Sequence, residues 1–131
     1  MILDSSAIVA VLRAEPEARE FSRAISSAER CHISAANYLE AAVVIDSTKS
    51  AISSRRFDDF FRASRIAVEA VTPRQAEIAR AAYRDFGKGR HKAGLNFGDC
   101  FAYALAKEMD DEPLLFKGTD FDRTDVEVAE I

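Results

Sequence analysis

The chain has 131 residues, a net charge of −4, 48% hydrophobic residues and 31% charged residues. This length suits one domain, because domains typically contain about 100–200 residues, and we expect residues 1–131 to form it. The acidic balance argues against a protein that coats nucleic acid through a generally basic surface. It does not exclude an enzyme that acts on nucleic acid, since clustered carboxylates lower the net charge and a bound metal restores positive potential locally.

The first half of the chain predicts two strands and four helices. It begins with an apolar strand, Met1–Asp4, and Ser5 or Ser6 can cap the helix that follows at 7–13. The next helix opens with a proline, which suits a first helical turn. A strand, a long helix with apolar residues at helical spacing and a helix with an aromatic stripe complete this half. These four elements are predicted over 16–28, 30–34, 35–48 and 55–64.

The second half continues the alternation of strands and helices. It predicts a strand, a helix that ends before Gly87, a second helix, a strand and a possible last strand, over 66–71, 72–86, 97–109, 114–116 and 126–128. Strands separated by helices are typical of βαβ units. We therefore expect an α/β fold of three layers (α/β/α), with a short, mainly parallel central sheet and helices on both of its faces.

The cysteines and the chain start bear on the compartment. Cys31 and Cys100 are the only cysteines, and both stand among apolar or small residues typical of buried, reduced thiols. Two such residues form no disulfide framework, which favours the reducing cytoplasm. No basic segment precedes the first strand, as a signal peptide would require, and no apolar run approaches the ~18 residues of a membrane span. We expect a cytoplasmic protein without a membrane partner.

Four acidic residues stand among apolar or small neighbours, where an unpaired carboxylate is costly to bury. Asp4 closes a predicted strand and Asp120 follows another, whereas Glu40 and Asp99 lie in predicted helices. Sites in open α/β sheets form at the carboxyl ends of the strands, so the topology can bring all four to one edge. Their mutual repulsion would then require a cation, and an all-oxygen site suits Mg²⁺ or Mn²⁺. This combination is typical of metal-dependent phosphodiester hydrolysis.

Plainer interpretations of these acids stay open. Asp4 can be a helix cap, Glu40 a surface acid, and Asp99 an acid that favours a helix N-terminus. Asp120 lies in an acid-rich segment, 118–125, that can be a solvated turn. On the functional interpretation, the hydroxyl of Ser6 would bond a neighbouring carboxylate or a metal-bound water and so orient the site.

A basic loop precedes Asp99 by a few residues. Lys88, Arg90 and Lys92 form it, and Arg13 can extend the same surface. The loop can be solvated and without function, but beside an acidic metal site it would grip the phosphates of a nucleic acid. The chain contains no Gly-rich nucleotide loop, zinc-protease helix or serine-hydrolase elbow, so those classes lack support.

Four segments together match a known family in its order along the chain. They are MILDSSAIVA at 1–10, SAANYLEA at 34–41, LNFGDCFAYALA at 95–106 and LLFKGTDF at 114–121. Through them the chain resembles the PIN-domain ribonucleases, and within that family the VapC-type toxins of bacterial type II toxin–antitoxin systems.

The resemblance implies an endoribonuclease that depends on Mg²⁺, with Mn²⁺ as a substitute. Asp4, Glu40 and Asp99 would take the metal-binding positions of the family, and Asp120 would lie near the fourth. One departure is Gly118, where many PIN domains carry an acid two residues before the aspartate of the Asp-Phe pair. The resemblance further implies a homodimer and a VapB-like antitoxin that neutralises the toxin by occupying the acidic groove. A water activated by metal would then cleave RNA.

Two other functions remain as alternatives at this stage. A small metal-dependent phosphatase also carries an aspartate at the end of its first strand, but its second aspartate would fall where this chain has Ser6. A non-catalytic RNA-binding module would use the acids only for structure or solvation. Activity on small phosphate esters would favour the first, and tight RNA binding without metal-dependent cleavage would favour the second.

Overall fold

The fold is built on four short parallel strands, and the computed structural model describes all residues, 1–131. The strands pair in the order β3-β2-β1-β4. Their bounds are Ile2–Leu3 for β1, His32–Ser34 for β2, Ala67–Glu69 for β3 and Leu114–Leu115 for β4. The helices are α1 (Ser5–Leu12), α2 (Ala18–Ser27), α3 (Ala35–Asp46), α4 (Ala51–Ser64), α5 (Pro73–Phe86) and α6 (Phe97–Glu108). The predicted α/β fold with a parallel sheet is confirmed.

Each face of the sheet carries its own apolar core, because successive strand residues point to opposite faces. Ile2 and Leu114 are paired in register, and they pack with the buried residues of α5 and α6. Leu3 and Leu115 are paired next to them, and they pack with residues of the first four helices, α1–α4. These two cores place the sheet between two helical layers and give the predicted three-layer order.

The aromatic stripe of α4 belongs to the second of these cores. Phe57 is 3% exposed, and the rings of Phe57 and Tyr38 have centroids 5.4 Å apart. Phe61 meets the same tyrosine edge to face at 4.9 Å. Both cysteines are also buried and free, as predicted. None of the helices combines the length and the apolar character that crossing a membrane would require.

Several predicted element ends were wrong, each for a local reason. Asp4 itself caps α1 by accepting a hydrogen bond from the amide of Ser6 at 3.0 Å, so neither Ser5 nor Ser6 is the cap. Helix α2 begins at Ala18 and not at the proline. Helix α4 begins at 51 and not at 55, because the hydroxyl of Ser50 caps it.

The predicted fifth strand was also wrong. The chain near 126–128 forms only an isolated parallel bridge between Val128 and Leu114. This segment therefore adds no strand to the sheet, and β4 is the last strand along the chain.

Removing the cap of α5 should cost a modest amount of stability. The hydroxyl of Thr72 accepts a hydrogen bond from the amide of Gln75 at 3.1 Å. Thr72→Ala leaves that amide without its partner, and we expect the free energy of unfolding to fall by about 1 kcal/mol. Urea denaturation followed by circular dichroism measures this loss. Ser26→Ala, which removes an exposed helical hydroxyl, is the control, and an equal loss in both variants would contradict the assigned cap.

Candidate active site

The carboxyl ends of β1 and β4 meet the first two turns of α3 and the first turn of α6 at one edge of the sheet. Asp4 follows β1 directly and is 3% exposed, and Asp120 follows β4 in an exposed turn. Glu40 lies in the second turn of α3, and Asp99 is the third residue of α6. The charges of Asp4, Asp120 and Glu40 all act on Asp99. The fold therefore brings the four predicted acids into one electrostatic cluster.

Asp4 is buried at the centre of this edge. Burial raises the pKa of its carboxyl above the ordinary value, and the hydroxyl and amide of Ser6 oppose that rise. The charge of Glu40 raises the pKa further. Oδ2 accepts the hydrogen bond from Ser6, whereas Oδ1 is buried without any partner. An unpaired buried carboxylate oxygen is destabilising, so Asp4 carries an unsatisfied hydrogen-bond acceptor at this edge.

Asp99 is affected by the charges of all three other acids of the cluster. Burial is the main cause that raises its pKa to about 7, and the charges of the three other acids contribute to the same rise. The amide of Asn96, which donates to Oδ2 at 2.9 Å, opposes it. Asn96 in turn accepts a hydrogen bond from the Asp99 amide, so the two residues form a capping box at the start of α6. This box fixes the carboxylate at the helix N-terminus.

Glu40 is held by two donors that the sequence analysis did not identify. The hydroxyl of Ser5 donates to Oε1, and Nδ2 of Asn37 lies 3.3 Å from the same oxygen. Nδ2 of Asn37 also donates to the carbonyl of Gly98 at 2.9 Å and so joins α3 to α6. Ser5 directly follows Asp4, and Asn37 stands three residues before Glu40 on one helix. The spacing of Asn37 and Glu40 on one helix could have been used as a signal, whereas the contact of Ser5 with Glu40 joins residues 35 positions apart.

Ser6 connects the two strand ends. Its hydroxyl accepts a hydrogen bond from the amide of Lys117 at 2.9 Å, while its own amide binds Asp4. The start of α1 and the turn after β4 are thereby tied together. Nζ of Lys117 lies 2.5 Å from a carboxylate oxygen of Glu15 and 3.5 Å from one of Glu17. The lysine is therefore paired with acids outside the four-carboxylate cluster.

The donor chemistry of the cluster fits a hard divalent cation, although the side chains do not stand in a finished metal site. No group of three or more acidic, histidine or cysteine side chains is arranged so that it could hold a metal ion. The candidate ligands are nevertheless all carboxylates, one buried oxygen of Asp4 has no partner, and the acids repel one another. A cation would relieve each of these costs, and its binding would require the side chains to reorient.

The predicted phosphate-binding residues lie on the surface, and none of them touches the four acids. Arg13 ends α1, while Lys88, Arg90 and Lys92 lie in the loop after α5; all four are exposed and none forms an ion pair. The guanidinium of Arg90 stacks 5.7 Å from the ring centre of Tyr83. These unpaired cations can bind an anionic partner.

An apolar groove of about 650 Å³ lies between α5 and α6, on the side of that loop. Its lining includes Tyr83, Phe97 and Phe101, together with the basic residues Arg80 and Lys88. Phe97 is 80% exposed although it stands two residues before Asp99. The most exposed large hydrophobic side chain thus lies close to Asp99 in the sequence and lines this groove, as does Asn96 of the capping box.

Comparison with known proteins identifies the family. The model of the PIN domain matches residues 1–127. Ribonuclease VapC28 of Mycobacterium tuberculosis is 50% identical over 130 residues, which cover 98% of this chain and 97% of that protein. Ribonuclease VapC of Mycolicibacterium smegmatis is 48% identical over 126 residues, which cover 96% of this chain and 97% of that protein.

Solved structures agree on the fold. VapC20 of Mycobacterium tuberculosis, described as a sarcin-ricin loop cleaving toxin, aligns with a TM-score of 0.80 at 14% identity and covers 99% of this chain and 98% of its own. A chain of a toxin–antitoxin complex from Klebsiella pneumoniae aligns with a TM-score of 0.72 at 17% identity and covers 98% and 95%. The chain therefore belongs to the PIN-domain family and, within it, to the VapC-type ribonucleases.

Proposed function

We propose that this VapC-type ribonuclease is a toxin enzyme that depends on Mg²⁺ and cuts RNA internally at the four-carboxylate cluster. The observation that carries the proposal is that Asp4, Glu40, Asp99 and Asp120 meet at one edge of the sheet, where Oδ1 of Asp4 is buried without a partner. Four acids that repel one another at a sheet edge destabilise the folded protein unless a cation binds among them. Relatives named ribonucleases, about half identical over nearly the whole chain, support the same activity.

The surroundings of each site residue suggest its role in cleavage. Asp4, Glu40 and Asp99 would hold the cation, and Asp120, which is exposed, would act at the rim of the site. When bound, Mg²⁺ or Mn²⁺ would neutralise the carboxylates and make a water nucleophilic near neutral pH. Asp99 must lose its proton to serve as a ligand, because its pKa lies near neutrality in the metal-free fold. Ser6 would keep Asp4 in place through its amide.

The substrate would be RNA whose backbone is exposed in a single strand or a loop, because such a backbone can enter a small acidic site. The cations of the basic loop and Arg13 would bind its phosphates. Their lack of ion pairs leaves them available for this role. The phosphatase and the non-catalytic module receive no support from relatives named ribonucleases.

The basic loop provides a test of substrate binding. Joint replacement of Lys88, Arg90 and Lys92 by alanine should raise the KM for RNA about tenfold with a small change in kcat. The slope of log affinity against log salt should fall by roughly 2, at about 0.7 per lost phosphate contact on a single strand. The control replaces three exposed arginines of α4, Arg55, Arg56 and Arg62. Equal changes in both triple variants would contradict a dedicated binding loop.

The protein partners would be a second copy of the chain and a VapB-like antitoxin. Large apolar side chains remain exposed on α3 and α6: Leu39 is 61%, Val43 57% and Phe97 80% exposed. Such surfaces are typical of protein interfaces. Light scattering should give the mass of a dimer for the isolated chain, and co-expression with the antitoxin should give a stable complex that does not cleave RNA. A monomer that is fully active with the antitoxin present would contradict both assignments.

Cleavage of a panel of RNAs tests the activity itself. The purified chain, freed of any partner, is incubated with single-stranded and hairpin RNAs in Mg²⁺ and in EDTA. We expect discrete internal cuts in Mg²⁺ and none in EDTA. Equal cleavage in EDTA would contradict the metal dependence, and hydrolysis of small phosphate esters without any RNA cleavage would instead support the phosphatase.

A further inference from the structure

We infer that Ser5, Asn37 and Gly98 are positioning residues that hold Glu40 by one carboxylate oxygen and leave the other for a cation. Oε1 receives both donors, the hydroxyl of Ser5 and Nδ2 of Asn37. Oε2 accepts no hydrogen bond and is not among the buried unpaired oxygens. The assignment of this free oxygen to a cation rests on the proposed function, whereas the clamp itself rests on contacts alone.

The amide of Asn37 can point in only one direction. Both of its neighbours, Oε1 of Glu40 and the carbonyl oxygen of Gly98, are acceptors, so the NH₂ group must face them. Its Oδ1 is then left buried without a partner, and the residue is fully buried. A buried amide that leaves one acceptor unsatisfied destabilises a core position. The two hydrogen bonds that Asn37 donates orient Glu40 and join α3 to α6, and this role explains why asparagine occupies the position.

Gly98 supplies the space in which the carboxylate lies. A Cβ at this position would stand 2.2 Å from Oε2 and 2.8 Å from both Cδ and Oε1 of Glu40. The three nearest atoms all belong to that one side chain, and the φ angle of Gly98 is not positive. The glycine is therefore required for the close approach and not for an unusual backbone conformation. Glycine in a helix is otherwise less favourable than alanine.

A double-mutant cycle tests the clamp without any nuclease assay. Gly98→Ala should lower Tm in the wild type, because the new methyl group collides with Glu40. In a Glu40→Ala background the same change should raise Tm, since the collision is gone and alanine favours the helix. The reversal of sign would support the clamp even if the protein bound no metal. An equal shift of Tm in both backgrounds would overturn it.

Metal binding tests the role assigned to the free oxygen. The affinity for Mn²⁺, measured by calorimetry, should fall about tenfold in Asn37→Ala, as for other groups that orient metal ligands. Gln75→Ala is the matched control, because it removes another buried amide that donates to a glutamate, Glu108. Ser5→Ala should also lose Mn²⁺ affinity, whereas Ser5→Thr should restore it by keeping the hydroxyl.

The kinetic signature separates positioning from a general loss of structure. Asn37→Ala should lower kcat and raise the Mg²⁺ concentration for half-maximal cleavage, with the KM for RNA nearly unchanged. Unaltered Mn²⁺ affinity in both Asn37→Ala and Ser5→Ala would overturn the assignment of the free oxygen. A third outcome separates the two claims. If the Gly98 cycle reverses sign but neither the wild type nor any variant binds Mn²⁺, the clamp stands and the metal-dependent function on which this assignment rests is refuted.

Discussion

Replacing Asp99 with asparagine should abolish RNA cleavage and at the same time stabilise the metal-free protein at neutral pH. The rate should fall by roughly a thousandfold or more, at tenfold for each ~1.4 kcal/mol of lost transition-state stabilisation. Asparagine keeps an oxygen that can accept the Asn96 amide, so the capping box of α6 survives in part. The change removes the charge that three other carboxylates repel. Activity and stability should therefore move in opposite directions.

The measurement compares initial cleavage rates in Mg²⁺ with Tm from calorimetry in EDTA. Asp122→Asn is the control, because it neutralises an exposed acid two residues after Asp120 that is not among the named causes of the raised pKa of Asp99. We expect this control to retain activity. A folded Asp99→Asn protein with wild-type cleavage would contradict the assignment of the active site, whereas a lowered Tm in EDTA would contradict the repulsion.

The second large effect is a loss of stability of the metal-free protein as pH rises toward 7. Asp99 has an ordinary pKa of 3.8 when exposed and a pKa of about 7 in the fold. Between these values the folded state binds more protons than the unfolded state, so the free energy of unfolding falls as pH rises. The total loss is on the order of 4 kcal/mol, at about 1.4 kcal/mol per pKa unit. Burial raises the pKa of Asp4 as well, which acts in the same direction.

Denaturation in EDTA between pH 5 and pH 8 measures the part of this loss that falls above pH 5, roughly 3 kcal/mol at about 1.4 kcal/mol per pKa unit. The Asp99→Asn variant should show a flatter profile, and the difference between the two profiles isolates this carboxyl from other titrating groups. Glu112 and Asp125, whose pKa values are lowered, act oppositely, since they stabilise the fold as pH rises. Their effect changes only at pH values up to about their ordinary pKa values of 4.5 and 3.8, so it is already fully present at pH 5. Added Mg²⁺ should restore stability most at pH 8, because the cation then replaces the missing proton. A profile that rises between pH 5 and pH 7 in EDTA would contradict this account.

The sequence predicted the layers of the fold because the signals for them are local. Thr72 and a following proline mark the start of α5, and alternating strands and helices fix a parallel sheet. The errors arose where one residue can serve two purposes. Asp4 is both a cap of α1 and a member of the acidic cluster, so Ser5 and Ser6 seemed free to cap. Val128 is apolar like a strand residue, yet it forms a single bridge at the end of the chain.

The acids of the site could be selected from the sequence, but the contacts across the fold that support them could not. A carboxylate among apolar neighbours is conspicuous, and that pattern identified Asp99. Asn37 and Gly98 are separated by 61 residues, and only the packing of α3 against α6 brings the amide to the carbonyl. Nothing local to the glycine indicates that a glutamate fills the space of its missing side chain. Such contacts depend on tertiary structure and lie beyond pattern analysis.

Calorimetric titration of the EDTA-stripped protein with Mn²⁺ shows whether the four carboxylates bind a cation at all. We expect saturable binding of at least one Mn²⁺ per chain, tighter at pH 8 than at pH 6 because Asp99 must lose its proton first. We also expect that Asp99→Asn abolishes this binding while Asp122→Asn retains it. Absence of saturable binding in the wild type, or identical isotherms for the wild type and Asp99→Asn, would contradict a metal site at the four-carboxylate cluster.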